Sequence, residues 1–212
     1  TTVLLLVAAE IDTLVVLLWW NNGMLGKYSA ALSIASSGLA VVGGTLHKVL
    51  FPHLAQTQDP NEQIRLLRHG IFSAALLLGG LTMVLMGIVP WLIPILFGSA
   101  FRDAIGVTEV LLVAYLFVPL KTVIIQSLRG VGVSTPGSVA AALSLGLFLL
   151  VVWPLGKALG LVGVGIAFGV ANAAAVGYLV LHVSRRDGFS PRAADEKTGL
   201  RVHVAILGAR QH

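Results

Sequence analysis

The chain has 212 residues, of which 57% are hydrophobic and 11% are charged, and it contains no cysteine. Soluble domains carry about 25% charged residues, so this composition excludes a soluble globular protein and indicates an integral membrane protein. Without cysteine, disulfides and thiolate metal sites are also excluded. The formal net charge of +5 would suggest nucleic-acid binding in a soluble protein, but in a membrane protein basic residues more often report topology.

Six apolar stretches are each long enough to cross the bilayer as a helix, which takes about 20 residues for about 30 Å of hydrocarbon. Small residues are scattered through these stretches, as in transmembrane helices that pack closely. Polar segments rich in glycine and proline separate them. The sequence therefore predicts an all-α fold, a polytopic membrane bundle of about six transmembrane helices, with spans near residues 1–20, 28–50, 71–96, 104–128, 139–155 and 161–183.

A helix-start signal precedes the third stretch. Asp59 is a candidate N-cap, Pro60 suits the first turn, and Glu62 follows the cap by three positions. The apolar residues that follow have helical spacing. This pattern predicts a cytoplasmic helix that lies at the membrane interface before the chain turns into the third span.

Basic residues are distributed unevenly when the loops are assigned alternately to the two sides of the membrane. One side receives Lys27, Arg102 and Lys157, and the other side receives most of the remaining lysines and arginines. This bias predicts that the second side is cytoplasmic, together with both ends of the chain. Residues 1–183 form the predicted bundle, and residues 184–212 are expected to be a disordered, polar cytoplasmic tail.

Several short motifs follow one another in a specific order. D-x13-G-x-Y, from Asp12 to Tyr28, precedes LFPHLAQTQD, IRLLRHG, PILFGSAFRDA, SLRGVG and GLVGVGIAFGVAN. Over residues 3–183 this order resembles the second half of polysaccharide-type flippases of the multidrug/oligosaccharidyl-lipid/polysaccharide exporter superfamily. Members have about twelve to fourteen spans in two bundles. Since the chain begins with Thr1 and not Met, we expect it to be the C-terminal bundle, with the N-terminal bundle missing.

The resemblance implies translocation of an undecaprenyl-pyrophosphate-linked oligosaccharide across the bacterial inner membrane by alternating access, without covalent chemistry or a cofactor. The polar sugar head cannot cross hydrocarbon unaided, whereas the polyprenyl tail can stay in it. Such a carrier needs a hydrated polar cavity, and cationic or N–H donors for the pyrophosphate. The implied partners are this glycolipid, membrane lipids and the missing N-terminal half, and not nucleic acid.

Three other functions are compatible with the same pattern. A cation-coupled multidrug exporter would suit the acidic pair Glu10 and Asp12, although bulky apolar drugs do not explain Lys121. A lipid II flippase would share the architecture, and a non-transporting membrane scaffold represents a different class. We do not expect an enzyme, because the sequence shows no nucleophile–base pair, and no metal cluster rises above chance.

Glu10 and Asp12 are the first candidate functional residues, because both carboxylates lie inside an apolar stretch. Trp19 and Trp20 mark the predicted outer interface, which places Asp12 about 12 Å deeper, near mid-membrane. A carboxylate at that depth costs roughly 2.5–3.5 kcal/mol on insertion scales. The two residues point about 200° apart around a helix. We expect Asp12 to line the central cavity or couple to a cation, with an interhelical hydrogen bond as the alternative, and Glu10 to pack against a neighbouring helix or be protonated.

Lys121 is the candidate ligand for the pyrophosphate. It lies about 12 Å inside the predicted cytoplasmic edge, two residues after Pro119, which should bend the helix and free a carbonyl. We expect its ammonium to face the cavity and, without substrate, to pair with Asp12 or Glu10. Snorkelling toward the cytoplasm is the alternative.

Three further basic residues, His47, Lys48 and Arg129, lie at predicted cytoplasmic ends of spans. We expect them to anchor the bundle at anionic lipid, with first contact to the substrate as the alternative. Gln126 and Asn172 are polar groups inside spans and are expected to form hydrogen bonds between helices.

Overall fold

A computed structural model of the chain describes residues 2–19, 21–56, 60–130, 133 and 135–184. These residues form six α-helices and a short 3-10 turn, and the predicted all-helical fold is confirmed. The helices are α1 (Thr2–Trp19), α2 (Asn22–Gln56), α3 (Pro60–Phe97), α4 (Ala104–Gly130), α5 (Thr135–Leu159) and α6 (Leu161–Ser184), with the 3-10 turn Ser99–Phe101 between α3 and α4.

Four of the described helices are long and apolar enough to cross a membrane, as expected of a polytopic bundle. Together they match the third to sixth predicted spans. α1 and α2 cover the first two predicted stretches, and membrane crossing by these two helices stays a prediction. The four candidate spans are Arg68–Phe97, Ala104–Arg129, Thr135–Leu159 and Leu161–Ser184.

α4 is the central helix of the bundle, because it packs against α2, α3 and α6. α5 packs along α6, and α1 contacts α2, α5 and α6. The share of buried residues follows this arrangement. In the most apolar stretch of each helix, 56% of the residues are buried in α4 and in α6, but only 17% are buried in α3. α4 and α6 therefore supply most of the core, and α3 lies at its edge.

Glycines set the distance between α4 and α6. A Cβ built on Gly169 would lie 3.1 Å from the Cβ of Ala114, and one built on Gly165 would lie 3.0 Å from Cγ1 of Val110. Both distances are shorter than ordinary van der Waals contact. Small residues allow helices to approach in this way where lipid gives no hydrophobic drive for association.

α3 departs from the sequence prediction. The sequence predicts a separate interfacial helix before the third span, but the structure has one helix from Pro60 to Phe97. Gly70 is the only break signal near the expected turn, and it is buried inside the helix. A single glycine costs only about 1 kcal/mol relative to alanine in a helix, which is too little to end one. The candidate N-cap Asp59 lies outside the described residues.

The start of α2 and the start of α4 meet through an ion pair. Lys27 Nζ donates to Asp103 Oδ2 at 2.8 Å, so the start of α2 and the turn between α3 and α4 lie at the same end of the bundle. The hydrogen bond and charge of Lys27 lower the pKa of Asp103 below its ordinary value. Asp103 is highly exposed, and an exposed pair of this kind contributes little stability.

The connection between α5 and α6 is a tight turn that requires glycine. Gly160 has φ 61°, in the left-handed region that glycine adopts without strain. Three residues later, a Cβ on Gly163 would overlap the backbone carbonyl of Leu155. The two helices therefore meet backbone to backbone just beyond the turn.

We predict that Gly163→Ala destabilises the protein by about 1–3 kcal/mol, the usual cost of overpacking a close contact. Gly177→Ala is the matched control on the same helix, because a Cβ there meets no atom within 4 Å. Thermal unfolding of the purified protein in detergent measures both. Equal melting temperatures for the two variants would contradict the backbone contact.

Candidate functional site

Asp12 is fully buried and lies where three helices meet. Its Oδ2 accepts hydrogen bonds from the hydroxyl of Tyr28 on α2 at 2.8 Å and from that of Tyr115 on α4 at 3.2 Å. Among the described residues, its other carboxylate oxygen and the Thr13 hydroxyl have no hydrogen-bond partner. The carboxylate therefore joins α1, α2 and α4, and it keeps one oxygen free to accept a further group.

Aromatic side chains extend this contact to the two remaining core helices. Tyr115 stacks on Phe168 of α6 with ring centroids 4.9 Å apart. Phe148 of α5 meets the same Phe168 ring edge-on at 6.1 Å. Aromatic pairs in these geometries contribute about 0.5–1.5 kcal/mol beyond their buried area. We call the set Asp12, Tyr28, Tyr115, Phe148 and Phe168 the central cluster; it takes one residue from each of α1, α2, α4, α5 and α6.

Lys121 lies in α4, beside the central cluster. Its Nζ donates to Asn172 Oδ1 on α6 at 2.6 Å, and Asn172 Nδ2 donates to the carbonyl of Phe168 at 2.9 Å. The lysine side chain is half-buried. Its ammonium is thus held by a neutral amide, and no ion pair joins it to Asp12.

The expected resting pair of Lys121 with Asp12 is not formed. Asp12 binds two tyrosines and Lys121 binds Asn172, and the two charged residues are linked only indirectly, through Phe168. The two tyrosine hydroxyls satisfy the buried Asp12 carboxylate by hydrogen bonds. Asp12 therefore does not need a second buried charge, such as that of Lys121, as its partner. The side chain of Glu10 lies outside the described part of the structure.

A groove whose walls are mostly apolar, with polar side chains at a few positions, runs between α2 and α4. Its volume is about 330 Å³, and its inner end is the Tyr115 side chain that binds Asp12. Polar groups line it on both helices: Ser36 from α2, and Thr122 and Gln126 from α4. We call this the α2–α4 groove. Asp12 itself has no exposed surface and is not part of the groove wall.

The lining positions form one stripe on each helix. On α4 they follow the spacing 4, 3 and 4 from Tyr115 to Pro119, Thr122 and Gln126, which keeps them on one face. On α2 the same spacing leads from two exposed serines to two small lining residues: Ser33, Ser37, Ala40 and Gly44. The stripe of lining positions on α2 therefore continues toward the start of that helix as an exposed face that carries two serine hydroxyls.

Arg129 lies in the last turn of α4, three residues after Gln126, and is half-buried. This spacing places it on the groove face, at the end that the charge distribution assigns to the cytoplasm. His47 and Lys48 occupy the turn of α2 that follows Gly44, and their side chains lie outside the described part of the structure. Over the residues that were described, no group of three His, Asp or Glu side chains could hold a metal ion.

The two hydrogen-bond partners of Asp12 have only weak signals in the sequence. Tyr28 is the last residue of the D-x13-G-x-Y motif, so the sequence shows its place after Asp12. The sequence does not show that its hydroxyl donates a hydrogen bond to Asp12. Tyr115 interrupts an apolar run in the fourth span, which marks a hydroxyl that needs a partner in lipid. The identity of that partner depends on how α1 and α4 pack.

We predict that Asp12→Ala lowers the stability by about 1–3 kcal/mol, because the buried Tyr28 hydroxyl loses its acceptor. Asp12→Asn retains a carbonyl oxygen and should cost less. Asp103→Ala is the control, because it removes an exposed carboxylate and should leave the melting temperature unchanged. Thermal unfolding in detergent orders the three variants, and an Asp12→Ala protein as stable as Asp103→Ala would contradict the assigned hydrogen bonds.

Comparison with known proteins gives one match. A family model described as "Polysaccharide biosynthesis protein" matches residues 1–106, which is half of the 212-residue chain. The matched part contains α1 to α3, and with them Asp12, Tyr28 and the α2 wall of the groove. No curated protein and no solved structure matches the chain.

Proposed function

Because the chain belongs to the polysaccharide biosynthesis protein family, we propose that it translocates a lipid-linked oligosaccharide across the bacterial inner membrane by alternating access. The cargo is a polyprenyl-pyrophosphate carrying a sugar head. Its tail stays in the hydrocarbon, and the head follows a hydrated path through the protein. No bond of the cargo is made or broken, so the protein is a carrier and not an enzyme.

The α2–α4 groove is the observation that supports this proposal. Exposed hydroxyl groups at Ser33, Ser37 and Thr122 lie on α2 and α4, which also expose apolar side chains such as Met24 and Val113. Lipid cannot hydrogen-bond to a hydroxyl, so a polar stripe at membrane depth belongs on a water-filled or protein-covered surface. A stripe of serine and threonine hydroxyls also suits the hydroxyl groups of a sugar.

Ser33 and Ser37 each form a hydrogen bond within α2. The hydroxyl of Ser33 donates to the carbonyl of Ser29 at 2.8 Å, and that of Ser37 donates to the carbonyl of Ser33. Each hydroxyl oxygen can still accept hydrogen bonds after donating its own proton. The α2 stripe therefore offers acceptors, while Gln126 on α4 offers both donors and acceptors.

Cationic groups supply the path for the pyrophosphate. Arg129 lies at the proposed cytoplasmic end of the groove face, and His47 and Lys48 occupy the neighbouring turn of α2. Lys121 lies deeper, hydrogen-bonded to Asn172. A phosphate oxygen that reaches Lys121 replaces the neutral amide of Asn172, and it does not have to separate the lysine from Asp12.

Asp12 is the proposed coupling residue. Its unpartnered oxygen can accept a proton or a cation, and its other oxygen holds Tyr28 and Tyr115. Neutralising the carboxylate weakens both tyrosine contacts, because hydrogen bonds to a charged acceptor are stronger than those to a neutral one. Tyr115 also lines the inner end of the α2–α4 groove. A change in the charge of Asp12 would therefore shift Tyr115 and change the shape of that groove.

The orientation follows from the basic residues. The ends of α2, α4 and α6, with the more basic segments, lie on the cytoplasmic side, and the Lys27–Asp103 pair lies on the outer side. The proposed path therefore begins at Arg129 and leads toward Tyr115. A partner bundle of the carrier closes the open side of the groove.

We predict that Lys121→Gln abolishes translocation but not membrane insertion. Lys157→Gln is the matched control, since Lys157 is an exposed lysine that stacks on Trp153 away from the groove. The assay measures surface polysaccharide, and lipid-linked repeat units retained in the inner leaflet, in a deletion strain complemented with each variant. Full export by Lys121→Gln at normal protein levels would remove the assigned role of the lysine.

A further inference from the structure

Asn172 places a polar amide in the middle of α6, among small and apolar residues. Its side chain is only 3% exposed. The amide Nδ2 donates to the carbonyl of Phe168, one turn earlier in the helix, at 2.9 Å, and the amide Oδ1 accepts from Lys121 Nζ at 2.6 Å. Both ends of the buried amide therefore have a partner, as burial of a polar group requires.

The two partners fix which way the amide points. A backbone carbonyl can only accept a hydrogen bond, so the end of Asn172 that faces Phe168 is the NH₂ group. An ammonium can only donate, so the end that faces Lys121 is the carbonyl oxygen. Asn172 thus presents a neutral acceptor to the lysine, in an orientation that its own helix holds in place.

The hydrogen bond draws Lys121 toward α6 and away from the α2–α4 groove. Lys121 comes one residue before Thr122, so it lies about 100° around α4 from that lining position. It is not one of the residues that line the groove. Because the charge of a lysine sits at the end of a flexible four-carbon stem, the ammonium can turn toward the groove once Asn172 releases it.

The neutral charge of the amide makes this release possible. A carboxylate at the same place would form an ion pair with Lys121, and an incoming phosphate would have to separate two opposite charges inside the bundle. An apolar side chain there would leave the half-buried ammonium without its partner, which is unfavourable. An amide holds the ammonium but binds it less strongly than a phosphate does, because hydrogen bonds between two charged groups are the stronger ones.

We propose that Asn172 is a positioning residue that holds the Lys121 ammonium against α6 until the diphosphate group of the cargo arrives, and so sets the affinity for that group. The inference rests on the proposed function, because it takes the cargo to be a polyprenyl diphosphate. Asn172 itself does not touch the cargo. It acts through Lys121, which leaves the amide when it binds a phosphate oxygen.

This role differs from that of an interhelical hydrogen bond that serves only stability. A purely structural Asn172 predicts that every substitution that breaks the hydrogen bond weakens the bundle and binding together. The proposed role predicts opposite effects of two substitutions. Asn172→Asp retains the lysine more strongly and should weaken binding of a diphosphate, whereas Asn172→Leu removes the competing acceptor and should leave binding as tight as before or tighter.

Binding of radiolabelled geranyl diphosphate to the purified full chain in nanodiscs tests the proposal, with empty nanodiscs subtracted and geraniol as the uncharged competitor. We expect saturable binding that geraniol does not displace. Asn172→Asp should weaken it by about tenfold or more, because the diphosphate has to break an ion pair. Asn172→Leu should bind at least as tightly as the unmodified protein, and thermal unfolding checks that both variants are folded.

The same two substitutions in a Lys121→Gln background complete a double-mutant cycle. Without the lysine, the variants with Asn, Asp and Leu at position 172 should bind the diphosphate equally weakly. The proposal is overturned if Asn172→Asp binds like the unmodified protein, if Asn172→Leu binds more weakly, or if the differences persist without the lysine. If Lys121→Gln alone does not weaken binding, the assigned role of the lysine in the proposed function falls as well, so the two failures are distinguishable.

Discussion

A polar side chain inside hydrocarbon must find either a partner within the protein or water, because lipid offers neither donors nor acceptors. This constraint applies to each polar group in the bundle. Asp12 meets it by pairing, through the hydroxyls of Tyr28 and Tyr115. The exposed serines of α2 and Thr122 of α4 donate their hydroxyl protons to carbonyls of their own helices, and each hydroxyl oxygen can still accept a hydrogen bond that lipid does not supply. The proposed path for a sugar head follows from that difference.

The central cluster and the groove share one residue, and this links stability to function. Tyr115 donates to Asp12, stacks on Phe168 and forms the inner end of the α2–α4 groove. The backbone carbonyl of Phe168 in turn accepts a hydrogen bond from Asn172, which is the hydrogen-bond partner of Lys121. A change at the buried carboxylate can therefore reach the cationic side chain through contacts within the bundle. Such a chain of packed side chains and hydrogen bonds is a physical route for coupling.

The sequence predicts the helices well and their mutual contacts poorly. Long apolar runs and their polar separators place α3 to α6 as spans, because each helix satisfies its own backbone and length matches the bilayer. The partner of Lys121 was not predictable, because its nearest neighbour is set by the approach of α4 and α6 over Gly165 and Gly169. Of the two expected partners of Lys121, Asp12 is not its partner, and the pair with Glu10 stays a prediction. The break expected near Gly70 does not occur, since one glycine cannot end a helix that packing supports.

Accessibility of single cysteines to a membrane-impermeant maleimide tests the central claim most directly, since the natural chain contains no cysteine. Thr122→Cys reports on the wall of the α2–α4 groove, and Leu150→Cys reports on an exposed apolar face of α5. A water-filled groove predicts that the cysteine at position 122 reacts and the one at position 150 does not, in protein reconstituted into lipid. Equal protection of both positions would mean that the groove faces lipid or packed protein, and the proposed path would be lost.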